Sequence, residues 1–305
     1  MTQPIIKIGT RGSPLALAQA YETRDRLMAA HGLDEARFEV VAIKTTGDRV
    51  QDRPLGEIGG KGLFTKEIED ALLDGSIDLA VHSMKDMPVE QPDGLVLDCY
   101  LPREDVRDAF VSLKYTSIGD LPKGAKLGSS SLRRRAQILH MRPDIKVVEF
   151  RGNVQTRLRK LDEGVADATF LAMAGLNRLG NANIAQSAVE VDKILPAVAQ
   201  GAIGIERRAD NARIHTMLSA IADADTATRL AAERAFLKAL DGSCQTPIAG
   251  LATLDGDTVI LKGQILRTDG SDQVSDKISG PASDGPALGQ ELAATLLEKS
   301  GGDFF

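Results

Sequence analysis

A repeated stretch constrains this chain more than any other feature of its sequence. Residues 74–81 read Asp-Gly-Ser-Ile-Asp-Leu-Ala-Val, and residues 163–170 read Glu-Gly-Val-Ala-Asp-Ala-Thr-Phe. A second echo pairs residues 7–10, Lys-Ile-Gly-Thr, with residues 126–129, Lys-Leu-Gly-Ser. Each copy is a short apolar run bounded by glycine, which is typical of a buried strand in a parallel sheet. The repeat therefore predicts two α/β domains of related design.

Length and charge limit the remaining possibilities. The chain has 305 residues, which is enough for two or three domains, and a net charge of −6. An acidic protein repels nucleic acid and anionic membranes, so we predict neither as a partner. No apolar run approaches a membrane span and no signal-peptide core is seen, so we expect a cytoplasmic protein. We predict no metal site and, from two distant cysteines, no disulfide framework.

A polar cluster follows the apolar run at residues 77–81, just before Pro88. In open α/β sheets ligands bind beyond the carboxyl ends of strands, so these polar residues occupy a position where chemistry is common. A solvated turn before proline would have the same sequence, and the residues alone leave both interpretations open. The candidates are His82, Ser83, Lys85 and Asp86.

Positive charge gathers at several strand ends and helix starts. Arg11 lies in a turn that leads to Ser13, which we predict to cap the following helix, and such helix N-termini attract anions. A second predicted helix begins with arginines in its first turn, against the favourable direction of the helix dipole. Some arginines should only cover solvated faces, Arg135 and Arg159 first among them. The candidates for anion binding are Arg11, Arg133, Arg134 and Arg151, with Arg157 and Arg178 close by in sequence.

Two other segments have their own signatures. Residues 45–62 are rich in glycine and charge without periodicity, which predicts a lid loop. After a predicted helix at 224–240 come three alternating stretches and a last helix at 286–299, which predict a small α+β domain with a three-stranded antiparallel sheet. We predict Cys99 to be a buried core residue, whereas Cys244, on a loop, is as well suited to be accessible.

Seven motifs in fixed order make the chain resemble the porphobilinogen deaminase (hydroxymethylbilane synthase) family over nearly its whole length. They occupy residues 11–17, 59–64, 81–86, 128–134, 151–153, 195–201 and 242–247. The resemblance implies two α/β domains like those of type II periplasmic binding proteins, plus the small C-terminal domain. With it we predict domain 1 at 1–101 plus 199–221, domain 2 at 102–198 and domain 3 at 222–305.

The resemblance also implies a reaction and its residues. Family members join four porphobilinogen molecules head to tail with loss of ammonia, on a dipyrromethane cofactor held as a thioether by the cysteine that matches Cys244. Asp86 matches the catalytic aspartate and also contacts the cofactor, and we expect a monomer. The resemblance assigns cofactor binding to Lys85, Ser129, Arg133, Arg134 and Arg157, and substrate binding to Arg11, Ser13, Arg151, Arg157, Arg178, Lys61 and Phe64.

Two functions of other classes compete with this one. A non-enzymatic anion-binding protein would need the arginines but gives no role to Asp86 or Cys244. A thiol hydrolase would use Cys244 as nucleophile with His82 or His140 as base. No histidine lies beside Cys244 in the sequence, so proximity along the chain does not support the hydrolase.

Overall fold

The computed structural model describes residues 5–49, 62–242, 246–301 and 304, without the side chains of residues 48–49. Contacts divide the chain into two compact units. The first comprises Met1–Arg103 and Ala202–Ala227, and the second comprises Glu104–Gly201 and Thr228–Phe305. The three predicted domain ranges stay a prediction.

The first unit is built on a mixed sheet. Its strands are β1 (Ile6–Arg11), β2 (Phe38–Ile43), β3 (Leu79–Ser83), β4 (Leu95–Tyr100) and β10 (Ile203–Arg208). They lie in the order β2-β1-β3-β10-β4, with β10 antiparallel to both of its neighbours. Its helices are α1 (Pro14–His31), the short α2 (Thr46–Arg49), α3 (Lys66–Leu73) and α7 (Ala212–Ser219). One sheet face packs apolar side chains with α1 and α7, and the other packs with α3.

The second unit contains a sheet of the same design. Its strands are β5 (Asp108–Val111), β6 (Lys126–Gly128), β7 (Lys146–Val148), β8 (Ala168–Ala172) and β9 (Ser187–Val189), in the order β7-β6-β8-β5-β9. Here β5 is the antiparallel strand in the position that β10 takes in the first unit. The associated helices are α4 (Leu132–Met141), α5 (Val154–Asp162) and α6 (Met173–Arg178).

A three-stranded antiparallel sheet completes the second unit. Strands β11 (Ile248–Asp255), β12 (Thr258–Leu266) and β13 (Gln273–Pro281) form a meander, as the sequence predicts. Helix α8 (Ala224–Ala239) precedes the sheet and α9 (Gly285–Lys299) follows it. The two α/β parts and the small α+β part of the predicted fold class are therefore confirmed.

The two copies of the sequence repeat occupy equivalent places and make equivalent bonds. Asp78 accepts a hydrogen bond from the Lys7 amide at 2.9 Å, and Asp167 accepts one from the Lys126 amide at 2.8 Å. In return, the amide of each aspartate donates to the carbonyl of the same lysine. In the first unit these bonds join the start of β1 to the residue before β3, and in the second unit they join the start of β6 to the residue before β8. In the stretches 74–81 and 163–170, each position of the first corresponds to the position 89 residues later in the second.

Local helix signals act as the sequence predicts. Ser13 caps α1 by accepting a bond from the Ala16 amide at 3.2 Å, and Pro14 is the first helical residue. Ser131 caps α4 in the same way through the Arg134 amide. A free hydroxyl oxygen at such a position satisfies one of the helix amides that has no partner within the helix.

The predicted bounds of one strand are wrong. The strand expected at 77–81 is β3, at Leu79–Ser83, because Ile77 ends a turn in which its amide donates to the Ala71 carbonyl. His82 and Ser83 are therefore strand residues rather than part of a following polar turn. Of the predicted lid, residues 50–61 lie outside the described part of the chain, so the lid stays a prediction.

Candidate functional site

A pocket in the first unit opens at the carboxyl ends of β1 and β3. The residues that line it include Arg11, Ser13, Phe64, His82, Ser83 and Asp86. Strand β1 ends at Arg11, and the Ser13 cap starts α1 there, so the chain brings a cation and a helix N-terminus to the pocket. The pocket thus gathers the sequence-predicted candidates of this half of the chain except two: Lys85 is not among its lining residues, and Lys61 lies outside the described residues.

Asp86 ends a single 3₁₀ turn, Met84–Asp86, that directly follows β3. The Met87 amide closes this turn by donating to the Met84 carbonyl. Asp86 is half-buried, and within the described residues its carboxylate has no hydrogen bond and no ion pair. A carboxylate that lines a pocket without a protein partner is available to a ligand. Lys85, beside it, is half-buried as well.

Arg11 and Phe64 form one side of the pocket. The Arg11 guanidinium carbon lies 4.2 Å from the centre of the Phe64 ring. This distance is that of a cation–π contact, in which the face of the ring attracts the positive charge. Both side chains are half-buried, so the aromatic ring and the cation remain partly accessible to a ligand.

The cysteines differ in what the structure says of them. Cys99, on β4, is 2% exposed, and its thiol donates to the Leu218 carbonyl at 3.5 Å. Burial raises the pKa of this thiol to about 12, and the prediction that Cys99 is a buried core residue is confirmed. Cys244 lies outside the described residues, so its predicted role stays a prediction.

Asp108 organises the arginines of the second unit. Its carboxylate accepts hydrogen bonds from Arg133 Nη2 at 2.8 Å, Arg134 Nη2 at 2.7 Å and Gln200 Nε2 at 2.9 Å. Burial alone would raise the pKa of this fully buried carboxyl, but the two guanidinium groups outweigh burial and hold its pKa well below the usual range.

This arrangement gives Arg133 and Arg134 a structural partner that the sequence did not indicate. Arg133 also donates to the Leu195 carbonyl and Arg134 to the Phe170 carbonyl, so both guanidinium groups turn inward from the first turn of α4. Their conflict with the helix dipole is compensated by Asp108. Binding of cofactor carboxylates by these two arginines stays a prediction. Arg135, the next residue, is exposed as expected.

Positive charge nevertheless exceeds negative charge in this cluster. The Nε atoms of Arg133 and Arg134 are buried and make no hydrogen bond within the described residues. Arg157, on α5, donates from Nε to the Gly152 carbonyl at 2.9 Å but has no acidic partner in the described ranges. Burial, together with the positive charge of Arg134, lowers the pKa of Arg157 to about 10. An anion beside Arg157 would offset both effects, so this donor set fits carboxylate groups.

The remaining candidates of the second unit lie at strand and helix ends. Ser129 follows β6 and is buried, with its hydroxyl oxygen accepting from the Ser131 amide at 3.2 Å. Arg151 precedes the cap of α5 and is half-buried. Arg178 ends α6 and donates to the Gly201 carbonyl at 3.1 Å. The predicted solvated residue Arg159 is exposed and pairs with Glu163 at 3.6 Å.

Sequence reasoning missed two buried acids on strands of the α/β sheets. Asp108 opens the short strand β5, and Glu206 lies within β10, where its Oε2 is 3.1 Å from His82 Nε2. Both are completely buried. Each acid borders an apolar run, residues 109–111 after Asp108 and residues 202–205 before Glu206. A charge at such a border is the signal that could have found them, because it needs a partner when the strand is buried.

Comparison with known proteins decides the family. A family model described as "Porphobilinogen deaminase, dipyromethane cofactor binding domain" matches residues 6–216, and one described as "Porphobilinogen deaminase, C-terminal domain" matches residues 227–298. The chain belongs to the porphobilinogen deaminase family. It is 68% identical over 300 residues to the porphobilinogen deaminase of Paracoccus denitrificans, covering 98% of this chain and 96% of that one. The enzyme of Nitrobacter hamburgensis is 54% identical over 304 residues, covering 100% of this chain and 96% of that one.

Solved structures also match the chain, at much lower sequence identity. A nutrient-binding protein from Burkholderia cenocepacia bound to methionine matches with a TM-score of 0.43 and 16% identity, covering 73% of this chain and 93% of that one. A periplasmic substrate-binding protein of an ABC transporter from Coxiella burnetii matches with a TM-score of 0.42 and 16% identity, covering 71% and 92%. No helix in the described ranges is long and apolar enough to cross a membrane.

Proposed function

We propose that this chain is a porphobilinogen deaminase whose chemistry is carried by Asp86. The enzyme joins four porphobilinogen molecules head to tail, releases one ammonia at each coupling and forms hydroxymethylbilane. The observation that carries the assignment to Asp86 is its carboxylate, which lines a pocket beside Arg11 and lacks a partner among the described residues. One acid among several cations is the arrangement that a substrate with carboxylates and a transient positive charge requires.

The charge changes of the coupling explain why a carboxylate is needed. The carbon–nitrogen bond of the aminomethyl group breaks, and ammonia leaves with the electron pair, so a cationic azafulvene remains. The free α-carbon of the neighbouring pyrrole then forms the carbon–carbon bond and loses its hydrogen as a proton. Asp86 would stabilise the cation while it exists and accept hydrogen bonds from the pyrrole N–H groups. The same carboxylate would also take up the released proton.

The arginines would bind the acetate and propionate side chains that each pyrrole carries. Arg157 supports this role most directly, because it is desolvated and has no acidic neighbour in the described ranges. Arg11, Arg151 and Arg178 lie at strand and helix ends, where bidentate binding of carboxylates is geometrically feasible. We propose the same role for Arg133 and Arg134, through donors that Asp108 does not occupy, assisted by Lys85, Ser13 and Ser129. Lys61 and Phe64 would contact the substrate from the lid side.

Cys244 would hold the dipyrromethane cofactor as a thioether. When bound, this group supplies the free pyrrole position at which the chain grows, and it stays attached when the product leaves. The buried Nε atoms of Arg133 and Arg134, which make no hydrogen bond within the described residues, fit its carboxylates.

Thiol counting and intact mass test the cofactor assignment together. The chain has two cysteines, and Cys99 is buried with a pKa raised to about 12, so it does not react in the native enzyme. We expect one reactive thiol per chain after denaturation, because a thioether blocks Cys244. Mass spectrometry should show the added mass of a dipyrromethane, and Cys244→Ser should lose it.

Cys99→Ala is the matched control. It should show no thiol after denaturation and still carry the added mass. The assignment would be contradicted if a wild-type preparation turned over porphobilinogen at full rate and then showed two thiols per chain after denaturation. We further propose that the enzyme works as a monomer in the cytoplasm, which light scattering and cell fractionation can test.

A further inference from the structure

Helix α2 and the start of α3 are joined beside the pocket of the first unit. Thr46 donates twice to Glu67 Oε1, from its hydroxyl at 2.6 Å and from its amide at 2.9 Å. The Gly47 amide donates to the Leu63 carbonyl at 2.8 Å. We call these three bonds the clasp. None of its four residues is among the described residues that line the pocket, and the reaction described above uses none of them.

The clasp leaves one buried oxygen without a partner. Glu67 Oε2 is buried and makes no hydrogen bond within the described residues. A buried acceptor that has lost its water and gained no donor costs free energy. Stability alone therefore does not explain a glutamate here, whereas the ring beside the clasp, that of Phe64, does line the pocket.

Gly47 leaves the space that the Phe64 ring fills. A Cβ atom at Gly47 would lie 2.2 Å from Cε1 of this ring, so the ring packs directly on the backbone of residue 47. The clasp holds that backbone on two sides, because the Gly47 amide bonds to the residue before Phe64 and the preceding residue bonds to Glu67. The clasp therefore fixes the surface against which the ring rests.

The Phe64 ring in turn contacts Arg11. The guanidinium carbon lies 4.2 Å from the ring centre, and both side chains line the pocket. A cation–π contact of this kind limits the directions in which the N–H groups of the guanidinium can point. An arginine that is oriented before binding loses less conformational freedom when it binds a carboxylate through two parallel hydrogen bonds.

We propose that Glu67 is a positioning residue for Arg11. Through the clasp it holds Gly47 against the Phe64 ring, and the ring keeps the guanidinium in one orientation at the pocket. The group that this guanidinium would receive is a carboxylate of the pyrrole substrate. The inference rests on the proposed function of Arg11 in substrate binding, because it says how that residue is oriented.

Nuclear magnetic resonance of the cofactor-loaded enzyme labelled with ¹⁵N-arginine tests the orientation without turnover. Protons above an aromatic face resonate upfield, so the Arg11 Nε–H signal, identified by its absence from Arg11→Met, should move downfield in Phe64→Leu. Glu67→Met keeps the length of the side chain but offers Thr46 no oxygen, so the signal should move downfield there too. Glu67→Gln keeps an acceptor and should leave the signal near its wild-type position. A signal that Glu67→Met does not move would overturn the proposal.

Steady-state kinetics with porphobilinogen test the link to the substrate. We expect Glu67→Met to raise KM about three- to tenfold and to change kcat by less than about twofold, because it weakens binding through Arg11 without touching the reacting atoms. Glu67→Gln should stay within about twofold of the wild-type KM. Asp70→Ala is the matched control, since it removes an exposed acid of the same helix and should change neither constant. An unchanged KM in Glu67→Met would overturn the inference.

A double-mutant cycle separates this inference from the proposed function of Arg11. In an Arg11→Met background, Glu67→Met should raise KM by less than about 1.5-fold, because the residue that it positions is gone. A rise as large as that in the wild-type background would show that Glu67 acts on another group, and the inference would fail while the function of Arg11 stands. If Arg11→Met alone leaves KM unchanged, the proposed function of Arg11 is refuted and the inference is overturned with it.

Discussion

Asp86 and Asp108 are aspartates with opposite surroundings. Asp108 is completely buried and receives three side-chain hydrogen bonds, so its charge is fully used within the protein. Asp86 is half-buried and has no partner in the described ranges. Loss of the two carboxylates should therefore affect different properties, Asp86 the reaction and Asp108 the stability.

For Asp86, the informative substitution is Asp86→Asn, which keeps the shape and removes the charge. We expect kcat to fall about 10²-fold or more, because the cation of the coupling loses its counter-charge. KM should change by less than about threefold, since the arginines rather than Asp86 bind the substrate carboxylates. Steady-state kinetics with porphobilinogen measure both. Asp93→Asn, on an exposed turn of the same unit, should leave kinetics unchanged, and a normal rate in Asp86→Asn would refute the assignment.

For Asp108, the expected effect is on unfolding and depends on pH. Asp108→Asn leaves two buried guanidinium groups without their anion, which should cost about 3–5 kcal/mol of unfolding free energy near neutral pH. The pKa of Asp108 is depressed in the folded protein, so its contribution is present above the pKa of the unfolded chain, about 4. As the pH falls below that value, the wild-type enzyme loses the contribution and the difference between the two proteins shrinks. Urea unfolding at pH 7 and at pH 3.5 measures this; a difference that grows in acid would contradict it.

Individual residues could be predicted only where their local signal is strong. Ser13 was predicted as a helix cap because serine before proline and an apolar run has few other uses. The inward turn of Arg133 could not be predicted, because its partner Asp108 lies 25 residues earlier in the chain. The His82–Glu206 pair spans 124 residues, so no local pattern contains it.

At the level of secondary structure, the repeat supplies matched pairs of interactions. Asp78→Ala removes the acceptor for the Lys7 amide at the start of β1, and Asp167→Ala removes the acceptor for the Lys126 amide at the start of β6. Because both aspartates are half-buried and the bonds have similar lengths, we expect similar losses of about 0.5–1.5 kcal/mol in unfolding free energy. Urea unfolding measures the loss, and turnover should be unchanged for both. Losses that differ severalfold would show that the two copies are not equivalent.

Elements with strong turn signals were predicted well. The alternating stretches 248–254, 258–267 and 273–279, with turns at Asp255-Gly256 and Asp269-Gly270, predict the limits of β11 to β13 within two residues. Both turn glycines have positive φ. Strands β5 and β9 were not predicted, because four- and three-residue strands are too short to show a period and β5 begins with Asp108. Pairing with a neighbouring strand, rather than local preference, makes these segments extended.

On the scale of the whole molecule, the chain returns to the first unit immediately after Gly201. This residue has φ +88°, and a Cβ atom there would lie 2.5 Å from the Glu104 carbonyl oxygen. Gly201→Ala should therefore lower the unfolding free energy by about 2–3 kcal/mol, because it adds a backbone clash to an unfavourable dihedral angle.

Gly180→Ala is the matched control for this prediction. Its φ is +68°, but nothing lies within 4 Å of a Cβ at that position, so it should cost only about 1 kcal/mol. Thermal unfolding of both variants compares them. Equal losses would show that the contact with Glu104 relaxes without cost.

The overall architecture was predictable because short stretches of sequence reveal both the repeat, through its apolar runs, and the meander, through its alternating residues. The allocation of chain to units was harder, since β10 follows the whole second sheet in sequence yet lies in the first. No local pattern indicates its pairing with β3 and β4, and the prediction that residues 199–221 join the first domain came from the family resemblance.

The first unit buries three ionisable side chains, Glu69, His82 and Glu206, at positions where the second unit has apolar residues. Replacing a buried ionic group with well-packed aliphatic residues is often neutral or stabilising, and Val111, Leu158 and Leu171 show that this backbone accepts them. A first unit carrying Glu69→Leu, His82→Leu and Glu206→Val would then be the more robust protein and the poorer catalyst. Retention of the three charges would be a trade of stability for activity, made in one half of a duplicated scaffold and avoided in the other.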